Sequence, residues 1–330
     1  MRRKIIKQGH STLTITLPSK WAKNYNLKAG DEVNLIEKEN GLLLTSEKKN
    51  EYSKAEFDIS GFDIPTIWKY FMAVYREGHD ELKVNFKQNE KFDSPYKYFV
   101  THKLDLKYGK EMHKKNPVEF LHDIVSRFIG WEIINYERDY VIVKDMSEPS
   151  SKEFDNALRR IFLLIEQMTE EIYEALEKGR AEHLSHIHDI DVNLDKFHDY
   201  CIRILNKVGN KDSKKTSLTV STLLFLELIG DEFKQISHHL LYDFKKSSYK
   251  NVIELTQSIK KQFELYYDFF YKFDKEKIIE ASNLDKDRYF SVSEQYKKIN
   301  TEGEREVFHH LRVISRYLNT LSELRIEMEF

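Results

Sequence analysis

Glu227 and Asp231 stand four residues apart in a long stretch of helical periodicity. On a helix that is one turn, so both carboxylates fall on one face. Two oxygen donors so placed can chelate a divalent cation, and His238, seven residues beyond Asp231, falls on the same side. The same spacing also describes a polar outer stripe, with Lys234 as a partner that neutralises the pair without metal. Both readings stay open at this point. A stretch closer to the N-terminus is richer in ligand-type residues: His183, His186, His188, Asp189, Asp191, Asp195, His198 and Asp199. Asp191, Asp195 and Asp199 share a face, with His188 three residues before Asp191. We read this stripe as a solvated acidic helix face. Cys201 is the single cysteine, which excludes an intramolecular disulfide and a cysteine-rich zinc site. Within DYCIRIL it reads as a small buried side chain and not a nucleophile. No Gly-rich phosphate loop, nucleophile elbow or zinc-protease motif occurs, so no catalytic residue is assigned and no enzyme is expected.

A second chemistry sits at the start. Arg2, Arg3, Lys4, Lys7, Lys20, Lys23 and Lys28 all precede the first acid, Asp31, in a chain of net charge −2. Positive charge gathered at one end of an otherwise acidic chain points to a polyanion. Arg2, Arg3, Lys4 and Lys7 are expected to make most of the phosphate contacts, joined by Lys20 and Lys23.

The elements that carry these bases are short. Lys4 to Gln8 reads as a strand and Gly9-His10-Ser11 as a turn. Thr12 to Leu17 alternates, with Leu13, Ile15 and Leu17 on one side and threonines on the other. Pro18 or Ser19 opens a short helix that stops near Asn26. Glu32 to Lys38 and Leu42 to Ser46 form a hairpin around Asn40-Gly41. So small a unit rarely holds its own core, so it should dimerise or be propped up by the rest of the chain.

From Glu51 to Ser147 the pattern is mixed. It predicts a strand at Phe57–Ile59, a helix from Pro65 to Glu77 stopped by Gly78, and a strand at Glu81–Lys87. A helix then opens at Asn116-Pro117 and ends by Gly130, before strands at Trp131–Tyr136 and Tyr140–Lys144. The order β-α-β-α-β-β describes a small α+β domain. Residues 88–115 are basic; they suit a second nucleic-acid surface, but we read them as a solvated excursion. From Pro149 the chain is helical, with Ser150 and Glu153 spaced as a capping box. Helices are expected over about 150–178, 181–208, 217–246, 249–273, 275–300 and 303–327, as two antiparallel three-helix units. The aromatic run from Tyr266 to Phe273 is read as inter-helix packing. The capped start at Ser150 implies a half that folds when the preceding residues are removed.

Two stretches carry family resemblances. The basic first strand, GHSTLTITLPSKWA and LKAGDEVNLI resemble the AbrB/SpoVT swapped-hairpin DNA-binding domain. That resemblance implies an intertwined homodimer gripping DNA with the basic face of its first strands. DVNLDKFHDYCIRILNK and LFLELIGDEFKQI are similar to the PhoU family of phosphate-uptake regulators. Glu227-Leu-Ile-Gly-Asp231 matches that family's Glu/Asp-x-x-x-Asp signature, which implies bound metal there. The second unit departs from the pattern, since Leu311 to Arg316 places arginines where carboxylates would stand. YREGHDELKV and GWEIINYERDYVIVKD resemble the middle region of archaeal-type PhoU proteins with a DNA-binding head.

The expected architecture is therefore multidomain. Residues 1–48 form a β-rich swapped-hairpin dimer, 49–148 an α+β domain, and 149–330 an all-α PhoU-like pair of three-helix bundles. The expected function is DNA-binding regulation of phosphate uptake or phosphate-responsive genes. The alternative is an adaptor acting on a phosphate transporter or sensor kinase, with the head serving to dimerise; an antitoxin-type regulator is a third reading. No apolar run reaches the roughly 18 residues that span a bilayer, and the start lacks a signal-peptide core, so a cytoplasmic protein without membrane insertion is expected.

Overall fold

A computed structural model of the chain describes residues 2–9, 11–38, 41–45, 52–93, 114–147, 149–210, 212–243, 250–299 and 301–330. At the start, β1 (Ile5–Gln8) pairs antiparallel with β2 (Thr12–Ile15), and β3 (Asn34–Lys38) with β4 (Gly41–Thr45). Helix α1 (Ser19–Asn24) follows Pro18, whose fixed φ suits a helix start. The two hairpins are separate two-stranded sheets. Gly41 pairs with Lys38 and so opens β4, one residue away from the expected Asn40-Gly41 turn; Asn40 lies outside the described residues. None of the described side chains in residues 2–45 is buried. Two hairpins and six helical residues supply no second layer to bury against.

The next unit is a four-stranded sheet in the order β5-β6-β8-β7, built from Lys54–Asp58, Glu81–Asn85, Tyr140–Asp145 and Trp131–Tyr136 respectively. β5 and β6 run parallel because α2 (Ile64–Glu77) crosses between them; the other pairs are antiparallel. Asp63 starts α2 by accepting from the Thr66 N–H at 2.8 Å, and Gly78, at φ 97°, ends it in the left-handed conformation. Helix α3 (Pro117–Val125) starts with a reciprocal capping box between Asn116 and Glu119. Among the described residues the order is the expected β-α-β-α-β-β. Leu82, Val84, Val141 and Val143 alternate inward and are fully buried, as are Ile67, Phe71 and Tyr75 of α2 and Phe120, Leu121 and Ile124 of α3. Each such side chain contributes roughly 1.5–3 kcal/mol relative to exposure. Of the basic excursion, Lys97, His102, Lys103, Lys107, Lys110 and His113 lie outside the described residues, and Lys115 pairs with Asp123.

Among the described residues six long helices follow: α4 (Ser151–Lys178), α5 (Ile187–Val208), α6 (Thr216–Asp243), α7 (Lys250–Tyr271), α8 (Lys275–Lys297) and α9 (Glu302–Glu327). Ser150 caps α4 by accepting from the Glu153 N–H at 3.2 Å. The helix expected from Ala181 begins only at Ile187. Ala181 offers no capping side chain, and Glu182–His186 form a 3-10 turn instead. Helices α4, α5 and α6 pack on one another, as do α7, α8 and α9, and the two sets meet along α6–α9 and α4–α7. A Cβ at Gly230 would stand 2.8 Å from Leu194 Cδ1, so glycine there lets α5 and α6 approach. The aromatic run of α7 packs as expected: Tyr266 and Phe269 are fully buried, and Phe162 of α4 meets the Phe270 ring at 5.1 Å.

The sheet unit docks on the helices through α2 and α5. Arg203 of α5 is fully buried there. Its guanidinium donates to the Tyr75 and His79 carbonyls and to Asp145 Oδ2, each at 2.6 Å, and lies over the Tyr75 and Trp131 rings. Lys207 donates to Asp80 at 2.6 Å and to Asp145 at 3.0 Å, and Arg76 reaches Asp199 at 2.5 Å. The acidic stripe of α5 is thus not a solvated face. Asp191 and Asp199 are 2% and 5% exposed, and both are ion-paired. A lone helix pattern shows carboxylates at one-turn spacing but not the bases that tertiary packing sets against them.

Candidate functional site

Three groups of residues carry chemistry. The first is the basic head. Arg2, Arg3, Lys4 and Lys7 on and before β1, with Lys20 and Lys23 on α1, are all exposed, and none has an ion-pair partner among the described residues. The register Ile5↔Ile15 and Lys7↔Leu13 puts Lys7 on one face with three apolar side chains. Leu13, Leu35 and Leu42 are each more than 60% exposed. Ile15, Leu17, Pro18, Trp21, Leu35 and Leu42 line a shared apolar groove of about 810 Å³. Six solvated cations beside an uncovered apolar groove suit a polyanion and a protein surface together.

The second group is the carboxylate pair. Glu227 and Asp231 of α6 sit in one electrostatic cluster with Asp191 and Asp195 of α5. Lys234 stands among them, its ammonium 2.7 Å from Asp191 Oδ2 and 2.5 Å from Asp231 Oδ1. Burial raises the pKa of Asp191, with Lys234 opposing, and it raises Glu227 with help from Asp231. Burial works to lower Lys234, but Asp191 and Asp231 outweigh it and its pKa ends raised. Arg127 reaches Asp195 at 3.5 Å from the other side. Lys234 therefore occupies the position where a cation would bridge Asp191 and Asp231. Arg312 and Arg316 are not in this cluster and line a separate groove between α8 and α9. Cys201 is fully buried, and burial pushes its thiol pKa up, as befits a packing residue.

The third group joins α6 to α9. His239, Glu306 and His310 offer ligand atoms that all lie within 4.8 Å of one another. Glu306 and His310 are one turn apart on α9, and His239 faces them from α6, because these two helices pack along their length. His310 Nδ1 lies 2.5 Å from Glu232 Oε2. An Nδ1–H donated to that carboxylate leaves the Nε2 lone pair for a metal and fixes the ring, as outer partners of metal-bound histidines do. Two imidazoles and a carboxylate suit a borderline divalent ion such as zinc or ferrous iron. This is a candidate divalent-metal cluster, its His239 on the same helix as Glu227 and C-terminal to it. Sequence reasoning singled out the neighbouring His238 and missed this set. Its local signal was Glu306-x-x-x-His310; the third ligand comes from a helix remote in sequence.

Residues 6–52 match the family model described as "Antidote-toxin recognition MazE, bacterial antitoxin". The match covers the two hairpins and α1, and the opening of the chain is accordingly similar to a swapped-hairpin domain. No curated protein and no solved structure matches the chain.

Proposed function

We propose that this chain is a homodimeric DNA-binding regulator of phosphate uptake or phosphate-responsive genes. In this reading residues 1–48 are an AbrB/SpoVT-like head, 49–148 an α+β coupling unit, and 149–330 a PhoU-like effector half. The observation that carries it is the head itself. It has no buried side chain among those described, an apolar groove, and six exposed bases without partners among the described residues. A second copy supplies the missing layer, and the paired basic strands then form one cationic surface. The match to a swapped-hairpin family supports this use of the segment. The candidate metal cluster at His239, Glu306 and His310 gives the helical half a place to sense an ion.

A salt-titrated DNA-binding assay tests the reading. Removing one phosphate-binding side chain should reduce the slope of log affinity against log salt by roughly 0.9. Arg3→Ala with Lys4→Ala should therefore weaken binding and flatten the slope by about two such steps. Unchanged affinity and slope would leave the head as a dimerisation device on an adaptor. The antitoxin character of the matching family favours one further reading, a regulator that also neutralises a partner protein. Co-expression with neighbouring reading frames, scored by growth rescue, distinguishes it.

A further inference from the structure

Helices α8 and α9 enclose a groove of about 610 Å³ whose walls carry Arg288, Arg312 and Arg316. Arg288 is scaffolding. It is buried, and its guanidinium donates to Ser315 Oγ at 3.0 Å, Ser258 Oγ at 2.9 Å, Gln262 and Asp285. Arg312 and Arg316 differ. They stand one turn apart on α9 with like charge, and neither has a hydrogen bond or ion pair among the described residues. Arg312 is half-buried. Both carboxylates of the groove are already engaged: Asp285 accepts from Arg288 and Ser315, and Glu323 accepts from Asn319 at 3.1 Å.

A half-buried guanidinium without a counter-ion has given up hydration for nothing in return. Two guanidinium forks one turn apart, Arg312 half-buried and Arg316 exposed, present donors suited to a tetrahedral oxyanion, and a bound anion also removes their mutual repulsion. The Tyr289 ring, 79% exposed on the same groove, offers an aromatic face to any organic group attached. We propose that the α8–α9 groove binds a phosphate oxyanion, free or carried by a small ester, between the guanidinium groups of Arg312 and Arg316. The two forks stand one turn apart and serve a single compact anion, so an extended run of acidic side chains, which would also reach Asp285 and Glu323 along the walls, fits less well.

The test is calorimetric titration of the full-length, chelator-treated protein in buffer free of phosphate and sulfate. The probes are inorganic phosphate, adenosine 5′-monophosphate and adenosine. At least one of the two anions should bind saturably, and Arg312→Gln with Arg316→Gln should weaken it at least tenfold. The double variant without ligand should melt no lower than wild type, since it sheds only like-charge repulsion. If it fails to fold, the exposed-site variant Arg316→Gln carries the comparison. Tighter binding of the nucleotide, reduced by Tyr289→Ala, identifies an ester as the ligand class; equal or tighter binding of inorganic phosphate identifies the free ion. No saturable binding of either anion, unchanged affinity in the arginine variants, or adenosine binding as tightly as its phosphate overturns the proposal.

Discussion

Lys234 shows how one side chain decides the character of a cluster. Its ammonium touches Asp191 and Asp231, so Lys234→Met leaves two carboxylates facing each other with their counter-ion gone. Breaking a buried pair from one side costs about 3 kcal/mol. The sign with pH follows from the raised folded-state pKa values of Asp191 and Glu227. Between the ordinary carboxylate range and those raised values the folded state binds more protons than the unfolded one. Stability contributed by these groups is therefore present in acid and lost as pH rises through that window. Lys234→Met should steepen the fall, giving a larger deficit in melting temperature at neutral pH than near pH 4; thermal melts across that range measure it. At the metal cluster, His239→Ala with His310→Ala should abolish high-affinity zinc binding. Glu232→Gln should weaken it roughly 10–100-fold through His310 alone. Protons compete for the imidazole lone pairs, so affinity should drop in acid. Equal metal content in wild type and the double-histidine variant, purified without chelator, would remove the cluster from consideration.

At the scale of elements, the hairpins β1–β2 and β3–β4 are the least self-sufficient part of the chain. Ile5, Leu13 and Ile15 are each more than half exposed on one face of the first hairpin, and Leu35 and Leu42 on the second. Two-stranded ribbons of this length do not persist alone in water. Residues 1–48 by themselves should therefore sediment as a dimer, and Leu13→Asp with Leu42→Asp should leave that fragment unfolded. A folded monomer of residues 1–48 would remove the basis for the dimeric reading. The helices contrast with this. Asp274 caps α8 by accepting from the N–H groups of Glu276 and Lys277, and Thr301 caps α9 through Glu304 N–H. Both helices have capped starts, and α9 buries a stripe of its own from Val307 to Leu321.

At the scale of the whole molecule, the sheet unit and the helices share one buried junction. Arg203, fully enclosed, holds two carbonyls of the α2 end and the β8 carboxylate of Asp145. Asp145 is held below the usual carboxylate range: burial opposes this, but Arg203, Ser147 and Lys207 prevail. Such a group contributes stability at neutral pH that is lost as pH falls through its depressed value. Arg203→Met should cost about 3–5 kcal/mol by leaving Asp145 and the Tyr75 and His79 carbonyls short of donors. A chain beginning at residue 149 exposes Arg203 and takes from Asp199 its Arg76 partner. It should melt well below the full-length protein, even though its first helix is properly capped. Equal melting temperatures would show that the junction contributes nothing.

Local chemistry was legible wherever neighbours in sequence were also neighbours in space. Pro65 and Gly78 bracket α2, Ser150 and Gly179 bracket α4, and the alternation of Leu82 with Val84 marked a strand. The basic opening and its want of a core were legible too, because both are properties of composition within a short segment. The exceptions were small. Gly41 belongs to a strand, and a 3-10 turn precedes α5, since hairpin register and helix onset depend on partners a few residues away. Tertiary structure alone decided the charges. Asp191, Asp195 and Asp199 repeat at one-turn spacing whether water or a cation faces them. Only the packing of α5 against α6 and the sheet unit brings up Lys234, Arg127 and Arg76. The same holds for His239, Glu306 and His310, whose convergence is set by the packing of α6 on α9. Periodicity tells which residues share a face of one helix; which face meets which is a property of the packed chain, where burial turns spacing into electrostatics.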